Sequence, residues 1–170
     1  MEVLVYTPHQ AGVPVGIGTS VSVNHATPAA QYAHSISRNL YHEIGCQLPT
    51  TGYDFFGGSD FQFDRPFRAP EYRDSLYRAC QDSGYVIVRS YDEYAKQAAA
   101  GAEKIILFQQ LERTLEGKDH ELPYAIDAKP GQLSVYDITK AEIDFLYRKS
   151  EAKGGCGFYL MNEIGGMVDH

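Results

Sequence analysis

The chain of 170 residues has no tryptophan, three cysteines, no lysine among its first 95 residues and no strongly apolar run longer than a strand. Each scarcity excludes something. Cys46, Cys80 and Cys156 are odd in number and far apart, which fits neither a disulfide framework nor the paired spacing of a zinc site. Free thiols in a reducing compartment follow, and no metal site is expected from spacing. Runs such as Ile105 to Phe108 are too short to cross a bilayer, and no basic leader precedes Met1-Glu2-Val3-Leu4-Val5. Neither a membrane span nor a signal peptide is expected, so the expected location is the cytoplasm, or a host cytoplasm for a virus-encoded gene.

The net charge of -7 is evenly spread: residues 1–95 carry 6 Arg against 10 acids, and residues 96–170 carry 9 Lys plus Arg against 12 acids. All seven lysines lie from Lys96 onward. With no basic arm or patch, the electrostatic footprint of a nucleic-acid binder is missing. An acidic balance leaves room for a basic protein partner or a homo-oligomer.

What the chain does have is aromatic mass, with 13 Tyr and 8 Phe, a composition opposed to disorder. A chain of this length reads as one domain, residues 1–170, able to bury roughly two-thirds of the surface its unfolded form exposes. A first strand is expected at Glu2 to Tyr6. Thr27-Pro28 then opens a helix, threonine as N-cap and proline at N1. Ala29, Ala33, Ile36, Leu40 and Ile44 recur at helical spacing until Gly45, and that stripe should pack on a sheet.

Residues 53–67 put six aromatics around Gly57-Gly58, which reads as an aromatic hairpin or loop insertion. A helix at Glu71 to Ser83 precedes an apolar strand at Tyr85 to Val88. Ser90-x-x-Glu93 is a capping box for a helix ending at Gly101, and Lys104 to Gln109 supplies the next strand. This stretch resembles the generic βαβ unit of Rossmann-like domains, whose strands are parallel. An edge strand near Tyr124 to Ile126 and a strand at Gln132 to Tyr136 come next. Thr139-x-x-Glu142 reads as the cap of a helix to Ala152, and Gly157 to Met161 as a last strand. The pattern specifies a single-domain three-layer α/β sandwich, mostly parallel and Rossmann-like.

The stretch from Gly12 to Pro28 joins the expected first strand to the Thr27-capped helix, and such junctions hold anions because backbone N–H groups and helix N-termini favour negative charge. Gly16 and Gly18 would let the backbone approach a ligand, Thr19 and Ser20 would donate hydroxyls, and Thr27 and Arg38 would complete the contacts. His25, two residues before the cap, is the candidate acid–base group. Val21 stands where a dinucleotide fingerprint needs its third glycine, and a P-loop needs a lysine that this region lacks. On this reading Gly18→Val should remove binding and spare the fold.

Further candidates are the polar stripe His34, Arg38 and His42, the aspartates Asp54, Asp60 and Asp64 among aromatic walls, and Glu71 and Glu163. Cys80 falls on an apolar helix face and reads as packing. The function expected is binding of an anionic, phosphate-bearing, nucleotide-like small molecule, in a transferase or hydrolase whose cofactor is unspecified. The alternative is a non-catalytic inhibitor or assembly subunit using the aromatic segment and the glycine-rich C-terminal tail.

Overall fold

The computed structural model describes residues 6–110, 121–124 and 128–165. Five strands, β1 (Val15–Thr19), β2 (Phe55–Gly58), β3 (Tyr85–Val88), β4 (Lys104–Phe108) and β5 (Tyr159–Glu163), form a wholly parallel sheet in the order β3-β4-β2-β1-β5. The helices are α1 (Tyr6–Gln10), α2 (Ala26–Ala29), α3 (Tyr41–Gly45), α4 (Pro70–Asp82), α5 (Tyr91–Ala99) and α6 (Val135–Ala152). The architecture is thus the expected three-layer α/β sandwich.

The two-residue period of each strand divides the core. Val15 and Ile17 of β1, Phe56 of β2, and Ile106 and Phe108 of β4 meet Ile44 of α3 and Leu76 and Cys80 of α4. Phe55, Ile105 and Leu107 face the other way, against Tyr94 of α5 and Ile138, Phe145 and Leu146 of α6. Burying each of these large side chains contributes about 1.5–3 kcal/mol.

Gly16 and Gly18 lie in the middle of β1, which is buried throughout, and not in a loop. They sit on the α6 face. A Cβ at Gly16 would stand 2.7 Å from Glu142 Oε1 and 2.8 Å from Leu146 Cδ1, and one at Gly18 would collide with Asn162 and Glu142. These glycines admit the helix, so the expectation that they cradle a ligand is corrected. The strand expected at Glu2 to Tyr6 lies outside the described residues except for Tyr6, which opens α1.

The aromatic segment is corrected too. Gly57-Gly58 ends the central strand β2 and does not turn a hairpin. Tyr53, Phe55, Phe56, Phe61 and Phe63 are buried, and Phe67 is half-buried against the same core.

The expected helix from Thr27 to Ile44 is broken into α2 and α3, with His25 and not Thr27 as the first cap and no side-chain capping bond. Between them, Ser37 N–H bonds Ser35 Oγ at 3.4 Å and Asn39 N–H bonds Ser37 Oγ at 3.3 Å. Such local bonds compete with helical ones. Gln47 then clamps the irregular segment, accepting from His34 N–H at 2.9 Å and donating to the His34 carbonyl at 3.0 Å. Ile36, expected inward, is 98% exposed.

The βαβ unit forms as expected, with β3 and β4 parallel and Ser90 Oγ accepting from Glu93 N–H at 3.2 Å. The cap of α6 is Ser134 with Asp137, not Thr139 with Glu142, and the strand expected at Gln132 to Tyr136 is the run-up to that helix. Ile126 of the expected edge strand and the tail beyond Gly165 lie outside the described residues.

Because its Cβ would enter the space of Asn162 and Glu142, Gly18→Val should destabilise the fold by about 1–3 kcal/mol or more. Urea denaturation checks this; an unchanged midpoint would contradict the packing described.

Candidate functional site

In open parallel sheets ligands bind beyond the carboxyl ends of the strands; the chain builds two polar arrangements there and a third beneath them, against the middle of β1. The first begins at the end of β1. Thr19, fully buried, donates to Glu163 Oε2 at 3.1 Å, and its oxygen accepts from Val21 N–H at 3.1 Å. Ser20 N–H bonds the Glu163 carbonyl at 3.0 Å, and Ser20 Oγ accepts from Gly165 N–H at 2.8 Å. Both hydroxyls therefore tie β1 to β5.

Residues 20–24 are all buried. Asn24 anchors them, donating to the carbonyls of Tyr41 and Gln62 at 2.8 Å each and accepting from Gln62 N–H at 2.8 Å. Tyr32 adds a bond from its hydroxyl to the Val23 carbonyl at 3.1 Å. The next residue, His25, is thus delivered on a fixed backbone.

His25 Nε2 lies 3.2 Å from an Arg38 guanidinium nitrogen. Arginine can only donate, so Nε2 is the acceptor and the ring hydrogen sits on Nδ1, a buried atom with no partner. Arg38 is exposed and makes no ion pair among the described residues. Beside the pair lies a hollow of about 210 Å³ lined by Ala26, Ala29, Ala33, Ser35, Ser37 and Arg38. Thr27, exposed, is two residues along the chain from His25. The structure therefore brings His25 and Arg38 together, and keeps Gly16, Gly18, Thr19 and Ser20 in the packing beneath.

The second arrangement is a buried ion pair. Arg89, just past β3, binds Asp60 Oδ2 at 2.9 Å, the Gln109 carbonyl at 2.7 Å and Tyr77 Oη at 2.7 Å. Tyr77 donates its hydroxyl to the Asp60 carboxylate, within 2.8 Å of both oxygens. Burial, and then the neighbouring Asp60 charge, hold the Tyr77 hydroxyl well above its ordinary pKa. The cluster joins β2, β3, β4 and α4, and its groups are satisfied within it.

Asp54 is likewise structural, accepting from Val15 N–H at 2.8 Å and pairing with Lys149 at 2.9 Å. Asp64 accepts from His42 N–H at 3.1 Å. The His42 ring stacks on Phe67 with centroids 4.2 Å apart. His34, Arg38 and His42 share no helix face. Burial pushes the Cys80 thiol up to about 12, as suits packing.

The third arrangement was invisible in the sequence. Glu142, 0% exposed on α6, accepts from Asn162 Nδ2 at 2.7 Å through Oε2, while Oε1 has no partner. Desolvation raises its pKa to about 8, against the smaller opposing effect of the Asn162 bond.

The class these features define is an α/β domain with its polar site at the carboxyl edge of a parallel sheet. A family model described as "Alkaline phosphatase" matches residues 2–60. The chain is 24% identical over 196 aligned residues to the alkaline phosphatase of Gadus morhua, spanning 94% of this chain and 38% of that protein. Among solved structures, Thermus thermophilus alkaline phosphatase matches with a TM-score of 0.65 and 25% identity, over 93% of this chain and 30% of that one. The alkaline phosphatase of the Antarctic bacterium TAB5 matches with a TM-score of 0.70 and 18% identity, over 98% and 43%. The fold is that of alkaline phosphatase α/β domains, and the chain spans well under half the length of these relatives.

One TAB5 structure is of a mutant with magnesium bound. The described residues of this chain bring together no group of three His, Cys, Asp or Glu side chains that could hold a metal ion.

Two outcomes follow from the buried charges. Arg89→Ala strands the Asp60 carboxylate and should cost about 3–5 kcal/mol in denaturant unfolding; a loss under about 1 kcal/mol contradicts the clasp.

For Glu142 the folded pKa lies above the unfolded one, so its neutral form is free of penalty at acid pH. Stability is lost as pH rises from about 4.5 through about 8. Glu142→Gln, with no proton to lose, should gain on the natural chain by roughly 3–6 kcal/mol across that window. Parallel stability–pH curves for the two proteins contradict the assignment.

Proposed function

We propose that this chain carries a phosphate-binding surface of a phosphate-ester hydrolase, with Arg38 as the anion clamp and His25 as the proton-handling group beside it. The single observation that carries the reading is the 3.2 Å approach of Arg38 to His25 at the carboxyl edge of the sheet. It is supported by similarity to proteins named alkaline phosphatases.

A guanidinium presents parallel N–H groups that match two phosphate oxygens, a geometry lysine cannot reproduce. An arriving phosphoryl group takes over the donor that now bonds His25 Nε2. The freed nitrogen then becomes available to accept or give up a proton, as ester cleavage requires at the attacking or leaving oxygen. The Asn24 anchor keeps the imidazole in place during that exchange. The alanine-lined hollow gives the esterified alcohol somewhere to lie, and a nucleotide is one such ester.

Inorganic phosphate at about 100 times its dissociation constant should stabilise the protein by roughly 2.7 kcal/mol in a thermal-shift assay. Arg38→Ala, an exposed change that leaves the fold intact, should weaken phosphate binding by about 10- to 100-fold. An unaltered phosphate response in Arg38→Ala overturns the reading.

A further inference from the structure

Glu142 is the one fully buried carboxyl among the described residues that has an oxygen with no partner. It lies against backbone: a Cβ at Gly16 or Gly18 would stand 2.7 Å from one or other of its oxygens. We propose that Glu142 is a positioning residue for the anion site, a proton-bearing wedge between α6 and β1 that fixes the carboxyl ends of β1 and β5 through Asn162. The proposal rests on the phosphate site described above, because its effect on function reaches that site through the backbone.

The linkage can be followed bond by bond. Glu142 holds the amide of Asn162 at 2.7 Å. The next residue, Glu163, accepts the Thr19 hydroxyl and, through its carbonyl, Ser20 N–H. Ser20 opens the buried segment 20–24 that leads to His25. A wedge that leaves its slot releases Asn162, slackens the β1–β5 seam and lets His25 drift from Arg38.

The surroundings explain why the wedge stays only while it carries its proton. From β1 it faces the bare backbone of Gly16 and Gly18. From β5 it faces the neutral amide of Asn162, beside Glu163, whose carboxylate is turned to Thr19. Several charged groups of α6 are engaged elsewhere: Asp137 with Ser134, Asp144 with Arg148 and the Tyr94 hydroxyl of α5, Lys140 over the Tyr91 ring of α5, and Lys149 with Asp54 and Glu103, while Glu151 is exposed. Among the described residues no cation pairs with Glu142, and a buried uncompensated charge is expelled or repacked.

The test measures inorganic phosphate affinity of the full chain from about pH 6 to about pH 9.5, in the natural protein, Glu142→Gln and Glu142→Met, with the Glu142 carboxyl carbon followed by NMR. Phosphate's own ionisation is common to all three and cancels in the ratios. The natural protein should lose affinity by about tenfold relative to Glu142→Gln above about pH 8. Glu142→Met, of similar volume but unable to hold Asn162, should bind more weakly than Glu142→Gln at every pH. Superimposable profiles, or a Glu142 carboxyl already ionised at about pH 6, overturn the proposal.

If phosphate binds none of the three, the phosphate reading fails and hydrogen exchange decides the wedge. Thr19 and Ser20 amides that lose protection above about pH 8 in the natural protein, but not in Glu142→Gln, uphold it. Equal protection overturns it. Should Glu142→Gln fail to fold, the natural protein alone decides: Thr19 and Ser20 amide shifts that track the Glu142 carboxyl titration uphold the wedge, and shifts independent of that titration overturn it.

Discussion

The structure depends on how closely α6 approaches β1. Strand β1 pairs with both β2 and β5, and on its α6 face it presents only glycine, so the helix seats a carboxyl and a leucine directly on the strand backbone. Side chains at Gly16 or Gly18 would hold the two layers apart, and interiors packed near crystal density do not absorb such a wedge cheaply. The position of β5, and with it the Thr19–Glu163 seam, follows from that contact. The carboxyl edge of the sheet is as well defined as that packing allows.

The polar groups above this edge divide by whether their bonding is closed. Asp60, Arg89 and Tyr77 satisfy one another and join strand ends to α4. The His25–Arg38 pair is open: the guanidinium is exposed with donors to spare, and one imidazole nitrogen has no partner. Glu142 is open in another sense, since half of its carboxyl is bonded and half is not. Closed networks hold a fold, while open ones are where a ligand or a proton can make a difference.

Much of the layer architecture was legible from local signals. Ser90 with Glu93 and the apolar runs Tyr85 to Val88 and Ile105 to Phe108 carry strong short-range information, and they form the elements expected. Local signals mislead where tertiary packing decides. Gly16-Ile17-Gly18 has the composition of a ligand loop, yet its glycines answer to a helix more than a hundred residues away. Gly57-Gly58 looks like a turn and is the end of a central strand. The stripe from Ala29 to Ile44 has helical spacing, but Ser35, Ser37 and Gln47 offer the backbone other partners. His25 and Arg38 both stand out in the sequence, and that they meet could be known only in three dimensions. Glu142 reads in sequence as part of a cap, because sequence cannot show that a carboxyl is buried.

The central claim is that an oxyanion binds at the carboxyl edge, between Arg38 and His25. A crystal structure of the chain grown with vanadate tests it most directly. The account predicts the oxyanion against the Arg38 guanidinium, with His25 within hydrogen-bond reach and the hollow beside Ala29 and Ala33 open next to it. An oxyanion seated instead in the hollow of about 330 Å³ between α5 and α6, against Arg148 and Lys153, with Arg38 still bonded to His25, would contradict it.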